Sequence, residues 1–178
     1  GVRYVVFMSG CPLRCQYCHN PDMFHMKKGK ITSSGDVLYD ISRYASYLTK
    51  GKGGVTLSGG EPLCQPEFTR DILKGCKILG LHTALDTSGY LNLKAADDIL
   101  DLTDLVLLDI KSGIERVYKE VTGRPLQPTL LFAERLAQKG IPIWLRYVLV
   151  PDLTDDPENI EAVASFAASL DGDVQRVD

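Results

Sequence analysis

Short unbroken apolar runs alternate along this chain with stretches whose apolar positions recur at helical spacing, and the two periods predict strands and helices in turn. Tyr4-Val5-Val6-Phe7-Met8 predicts a buried strand, and Val37, Ile41, Tyr44 and Leu48 then share one helical face with Ser34 as N-cap. Val55-Thr56-Leu57 predicts a second strand, followed by a helix carrying Phe68, Ile72, Cys76 and Leu79 and stopped by Gly80. Thr83-Ala84-Leu85 is the third strand, with a short helix around Ala95 to Leu100 after it. Leu105-Val106-Leu107-Leu108 is the fourth. A helix near Leu130 to Gln138, ended by Gly140, leads to a fifth strand that runs from Ile143 to Val150. Ile160, Val163, Ala167 and Leu170 mark a last helix, and Val174 to Asp178 opens another strand.

Strand–helix units with nearly unbroken apolar strands imply an α/β fold, a parallel sheet covered by helices and wound by right-handed crossovers into a barrel or an open sheet. No repeat, linker or low-complexity tract interrupts the pattern, so residues 1–178 read as one domain. The chain starts at Gly1 close to its first strand and stops inside its last, so a larger protein cut at both ends is expected.

Composition narrows the class without naming it. Hydrophobic residues make up 44% and charged residues 24%, ordinary values for a globular protein. The net charge of -3 offers no basic footprint, so no nucleic-acid partner is expected. No apolar run is long enough for a membrane and no signal peptide is visible, so no membrane partner is expected either. Closely spaced thiols favour a reducing compartment, which points to the cytoplasm.

Those thiols carry the most chemistry. Cys11, Cys15 and Cys18 stand in the run Gly10-Cys11-Pro12-Leu13-Arg14-Cys15-Gln16-Tyr17-Cys18-His19-Asn20. Three thiolates on one loop can hold an iron–sulfur cube while leaving its fourth iron open, by the logic that separates closed structural metal sites from open catalytic ones. A tetrahedral zinc site built from Cys11, Cys15, Cys18 and His19 is the rival reading, although zinc motifs usually come as two separated ligand pairs and no second pair follows. Cys64 and Cys76 read as structural, Cys76 on an apolar helical face.

Each strand also ends in polar residues or glycine, and in parallel α/β folds that end is the functional face. The second strand ends at Ser58-Gly59-Gly60-Glu61, the third at Asp86-Thr87-Ser88-Gly89, the fourth at Asp109-Ile110-Lys111, and the fifth carries Arg146. Gly59 and Gly60 let a ligand approach the backbone. Glu61 suits an ammonium group or, equally, a brace for the next turn. Asp86 and Asp109 can hold a small cation or an amine, or simply form turns. Lys111 can neutralise a carboxylate or sit in solvent, and a buried Arg146 needs an anion beside it.

The Cys11, Cys15, Tyr17, Cys18 pattern resembles the signature of the radical S-adenosylmethionine superfamily. Tyr17-Cys18-His19-Asn20, Ser58-Gly59-Gly60-Glu61, Leu85-Asp86-Thr87, Leu108-Asp109-Ile110-Lys111 and Trp144-Leu145-Arg146-Tyr147 resemble, in order and spacing, the members that activate glycyl radical enzymes. The resemblance implies a partial (β/α)6 barrel, truncated at both ends, as a radical SAM core domain over residues 1–178. It implies a [4Fe-4S] cluster on Cys11, Cys15 and Cys18 and S-adenosyl-L-methionine on its open iron. Reductive cleavage to a 5'-deoxyadenosyl radical and hydrogen abstraction from a glycine of a partner such as pyruvate formate-lyase would follow. By position the resemblance implies that Tyr17 and His19 would lie beside the adenosyl group, Gly59 and Gly60 would meet the methionyl amine, and Asp109 and Lys111, around Ile110, would meet its carboxylate. Asp86, Thr87 and Asp109 would surround a monovalent cation, and Arg146 would approach the cofactor. No side chain is needed as acid or base. A flavodoxin or ferredoxin is the implied electron donor. Only 40 residues, none of them cysteine, lie between Cys18 and Gly59, which favours the pyruvate formate-lyase type over activators with extra clusters. The competing readings are a radical enzyme acting on another glycyl radical partner, a small molecule or RNA, and a non-catalytic zinc module.

Overall fold

Six strands lie parallel and in chain order: β1 (Arg3–Met8), β2 (Gly54–Gly59), β3 (His82–Thr87), β4 (Leu105–Asp109), β5 (Ile143–Arg146) and β6 (Val174–Val177). This computed structural model describes residues 1–170, 172 and 174–178. The sheet does not close, and β1 and β6 are its two edges. Six helices connect the strands: α1 (Ser34–Lys50), α2 (Pro66–Ile78), α3 (Asp97–Leu100), α4 (Glu115–Thr122), α5 (Gln127–Gln138) and α6 (Pro157–Ala168).

Most of the predicted apolar positions form the core, whereas Tyr44, Leu79 and Ile160 are exposed, as are Val5 and Phe7 on the edge strand β1. Ile41 and Leu48 of α1, Ile72, Leu73 and Cys76 of α2, Phe132 and Leu136 of α5, and Val163 and Ala167 of α6 all join one cluster with the strand residues Val55, Leu57, Leu85, Val106, Leu108, Ile143 and Leu145. Each leucine, isoleucine, valine or phenylalanine among them contributes about 1.5–3 kcal/mol when fully buried. Register then sets which strand ends are neighbours: Met8 pairs with Gly59, Thr87 with Leu108 and Asp109 with Arg146. Residues distant in sequence therefore meet at one rim.

The opposite ends of the strands are tied structurally. Arg3 Nε donates to Thr56 Oγ1 at 2.6 Å, and Asp104 accepts from Lys77 Nζ at 2.7 Å and from the Thr83 amide at 2.8 Å.

Four local expectations change. The N-cap of α1 is Ser33, whose hydroxyl accepts from the Asp36 amide, and Ser34 is the first helical residue. The fifth strand stops at Arg146 rather than Val150. Thr154 takes over there: its hydroxyl accepts from the Val150 amide and donates to the Val148 carbonyl, while Pro151 lacks the donor a strand would need. Helix α5 begins at Gln127, with Pro128 in its first turn. Helix α4 is unexpected, although Ile114, Val117, Tyr118 and Val121 recur at helical spacing. It is short and highly charged, and buries only Tyr118, Val121 and Thr122 before Gly123 ends it at φ 72.

Candidate active site

The cysteine loop leaves β1 through Gly10, whose φ of 100 is a region that glycine alone adopts easily. Its backbone is fastened on three sides. The Gly10 amide donates to the Met23 carbonyl at 2.7 Å, and the Gly10 carbonyl accepts from the Glu61 amide at 2.7 Å. The Arg14 and Gln16 amides donate to the Thr122 and Val121 carbonyls of α4 at 2.9 and 3.0 Å. Those carbonyls are among the ones a helix end leaves without partners, so loop and helix satisfy each other. Arg124 Nε donates to the Pro12 carbonyl at 2.9 Å, and Leu13, 1% exposed, anchors the middle of the loop.

The three thiols face one cavity of about 300 Å³. Tyr17 and His19 line it from the loop, Gly59 and Gly60 from β2, Asp86 and Thr87 from β3, Asp109 and Lys111 from β4, and Arg146 from β5. Ile110 is the exception among the expected site residues: it is 1% exposed in the core, on the opposite side of the chain from Asp109 and Lys111. A separate cavity of about 440 Å³ runs along the outer edge of β1 beside Val5 and Phe7 and contains none of the cysteines.

The glycine pair has a second reason to be glycine. A Cβ on Gly59 would stand 2.4 Å from the Met8 nitrogen, and one on Gly60 would stand 2.4 Å from the Gly10 carbonyl oxygen. The pair lets the end of β2 pass directly beneath the cysteine loop. Glu61 then turns away from the cavity. It is 1% exposed and accepts from the Leu63 amide, the Thr87 hydroxyl, and the Ser88 amide and hydroxyl. Burial raises its carboxyl, and these donors oppose the rise. Of the two expected roles it takes the brace, and Thr87 commits its hydroxyl to it.

A chain of charges crosses the rim. Ser58 Oγ donates to Asp86 Oδ2 at 2.7 Å, the Arg146 guanidinium donates to Asp86 and, at 2.8 Å, to Asp109 Oδ1, and Lys111 Nζ donates to Asp109 Oδ2 at 2.8 Å. Ser58 was the member that residue type alone did not single out; its position just before the glycine pair was the available signal. Burial raises the Asp86 carboxyl, partly offset by Arg146. Burial pulls Lys111 and Arg146 down, yet their carboxylate partners outweigh it and both end above their usual values. The guanidinium thus occupies the interval between the two carboxylates expected to meet a cation.

Burial also pushes the Cys11 thiol up to about 12 and raises Cys15, the latter relieved in part by Lys111. Such thiols become ligands only against the positive charge of a metal. Among the described residues no three His, Cys, Asp or Glu side chains converge tightly enough for a single ion, and His19 is exposed. As placed, Cys11, Cys15, Cys18 and His19 are not drawn together into a tetrahedral cage. Thiols spread around one cavity suit a cube, whose irons each take a separate thiolate. The Tyr17 hydroxyl is buried without a hydrogen-bond partner, and the Lys111 ammonium stands 5.8 Å from its ring centroid. An orphaned polar atom in a cavity wall is satisfied by whatever fills the cavity.

Comparison with known proteins agrees with this geometry. The profile of the radical SAM superfamily matches residues 5–165. The pyruvate formate-lyase-activating enzyme of Clostridium pasteurianum is 46% identical over 96% of this chain and 71% of its own length. The pyruvate formate-lyase 1-activating enzyme of Escherichia coli K12 is 37% identical over 100% of this chain and 73% of its own length. Among solved structures, a domain of pyruvate-formate lyase-activating enzyme from Bacteroides vulgatus superposes with a TM-score of 0.64 at 35% identity, covering 70% of this chain and 78% of that one. Streptococcus suis SuiB bound to its precursor peptide SuiA gives a TM-score of 0.77 at 18% identity, covering 98% of this chain and 38% of that one, a likeness of fold alone.

Proposed function

The chain belongs to the radical SAM superfamily, and we propose that it is an activating enzyme that generates a glycyl radical on pyruvate formate-lyase. The observation that carries this reading is the single cavity shared by three thiols of one loop and the polar ends of four strands. The [4Fe-4S] cluster and S-adenosyl-L-methionine, when bound and reduced by one electron, would supply the radical chemistry that removes a hydrogen atom from glycine.

The protein's own residues bind, orient and exclude water. Cys11, Cys15 and Cys18 would hold three irons of the cluster, and the tie between their loop and α4 holds the loop backbone in place. Gly59 and Gly60 bring backbone close to the methionyl amine. Lys111 and Arg146 supply positive charge toward the methionyl carboxylate, with Asp109 holding both. Tyr17 and His19 flank the adenosyl group. Asp86, Thr87 and Asp109 remain the candidate surroundings of a monovalent cation, with Arg146 as the resident positive charge. The open edge between β1 and β6 leaves room for a glycine-bearing loop. The whole chain acts as one radical SAM core domain, and a flavodoxin or ferredoxin supplies the electron.

Anaerobic reconstitution followed by reduction tests the reading. The expected result is cleavage of S-adenosyl-L-methionine and a glycyl radical signal on pyruvate formate-lyase by electron paramagnetic resonance. Cleavage without that signal, alongside turnover of another substrate, would overturn it.

A further inference from the structure

Side chains alternate across the cysteine loop: Cys15 and Tyr17 line the cavity, while Arg14 and Gln16 are exposed on its outer side. That outer side is ringed by cations. The Arg14 guanidinium donates to the carbonyl of Cys11 itself at 2.7 Å and lies 4.9 Å over the Phe24 ring. The turn after Phe24 packs Met26 against Gly10 and carries exposed Lys27 and Lys28. Across the loop, α4 and its cap present exposed Lys119 and Arg124, the latter bonded to Pro12. None of these five cations forms an ion pair among the described residues, although the chain as a whole carries a net charge of -3. The acidic residues on these segments are Asp22, Glu115 and Glu120; Glu115 accepts from the Leu126 amide and Glu120 faces Arg116, so cations remain in excess.

We propose that this outer face, formed by Arg14, Lys27, Lys28, Lys119 and Arg124 around the cysteine loop, is the docking surface for an acidic one-electron donor protein. The inference rests on the reductive activity proposed above, which needs an electron from outside the chain. Charge complementarity selects the occupant. A local positive surface on an acidic protein attracts a negatively charged partner and orients it, raising its encounter rate. The surface also lies close to the proposed centre, because the Arg14 guanidinium donates to the carbonyl of Cys11. The donor loses one electron, the centre held by the three cysteines gains one, and no bond or proton changes place.

Stopped-flow reduction of the reconstituted full chain tests this, using photoreduced flavodoxin as the acidic donor and photoexcited deazaflavin as a small uncharged reductant. The variants are Lys119→Glu and the pair Lys27→Glu/Lys28→Glu, whose side chains make no hydrogen bond among the described residues. At low ionic strength the flavodoxin rate constant falls by about tenfold or more. The gap narrows as salt is raised toward the range where the Debye length is about 8 Å. Deazaflavin reduction and iron content stay unchanged. An unaltered flavodoxin rate, or equal losses with both reductants, overturns the proposal. So does lost binding of pyruvate formate-lyase with normal flavodoxin reduction, which would assign the face to the substrate enzyme. A chain that assembles no iron–sulfur centre, read separately by iron and sulfide analysis, overturns the functional reading as well.

Discussion

Gly60 shows how a missing side chain can position a reactive loop. The nearest atom to a Cβ there is the Gly10 carbonyl oxygen at 2.4 Å, and that carbonyl is itself held by the Glu61 amide. Gly60→Ala must therefore lift the cysteine loop or bend β2, at about 1–3 kcal/mol. The expected outcome is a lower Tm together with less iron retained per chain after reconstitution, read by thermal unfolding and metal analysis. Asp104 illustrates the opposite end of the strands. Burial alone would raise its carboxyl, but Lys77 and the Thr83 donors outweigh burial and leave it below the usual carboxylate range. A depressed carboxylate stabilises the fold above its unfolded pKa and loses that contribution as pH falls through its folded value. Asp104→Asn is therefore expected to lower Tm near neutral pH and to flatten the acid side of the stability profile, as measured by denaturation across pH.

Helix α4 is the element with the largest consequence for its length. It is only eight residues long, with Val117, Tyr118 and Val121 at helical spacing, and its value lies in the carbonyls that its last turn offers to the loop amides of Arg14 and Gln16. Periodicity could not reveal this, because the partner is backbone and lies a hundred residues away along the chain (Gln16 Nε2 also reaches the Glu120 carbonyl at 3.0 Å). Proline in a helix interior costs about 3 kcal/mol. Glu120→Pro is thus expected to leave the sheet largely intact by circular dichroism while the reconstituted centre loses iron faster to a chelator. The long helices were legible for the ordinary reason that Ile41, Ile72, Phe132 and Val163 sit on continuous buried faces. The end of β5 was not, since the bonds of Thr154 that divert the chain are local side-chain geometry rather than pattern.

At the scale of the whole molecule, the rim joins four strands through one run of charges from Ser58 to Lys111. Arg146 is its centre, touching Asp86 and Asp109 at once. Arg146→Gln leaves two half-buried carboxylates facing each other. The expected loss is about 1–3 kcal/mol, below that of a fully buried pair because solvent reaches the site. Chemical denaturation measures that loss, and calorimetry is expected to show weaker binding of S-adenosyl-L-methionine. The amino-acid sequence by itself determined the alternation of strands and helices, the parallel sheet, the three-cysteine loop and the family, because periodicity and motif spacing are properties of the chain read in order. Only the tertiary structure decided that Glu61 braces rather than binds, that Ile110 belongs to the core, that Arg146 stands between Asp86 and Asp109, and that α4 fastens the cysteine loop. Those outcomes depend on register, on the side of the chain a residue faces, and on which buried groups find partners. All three are set by contacts between segments far apart in sequence.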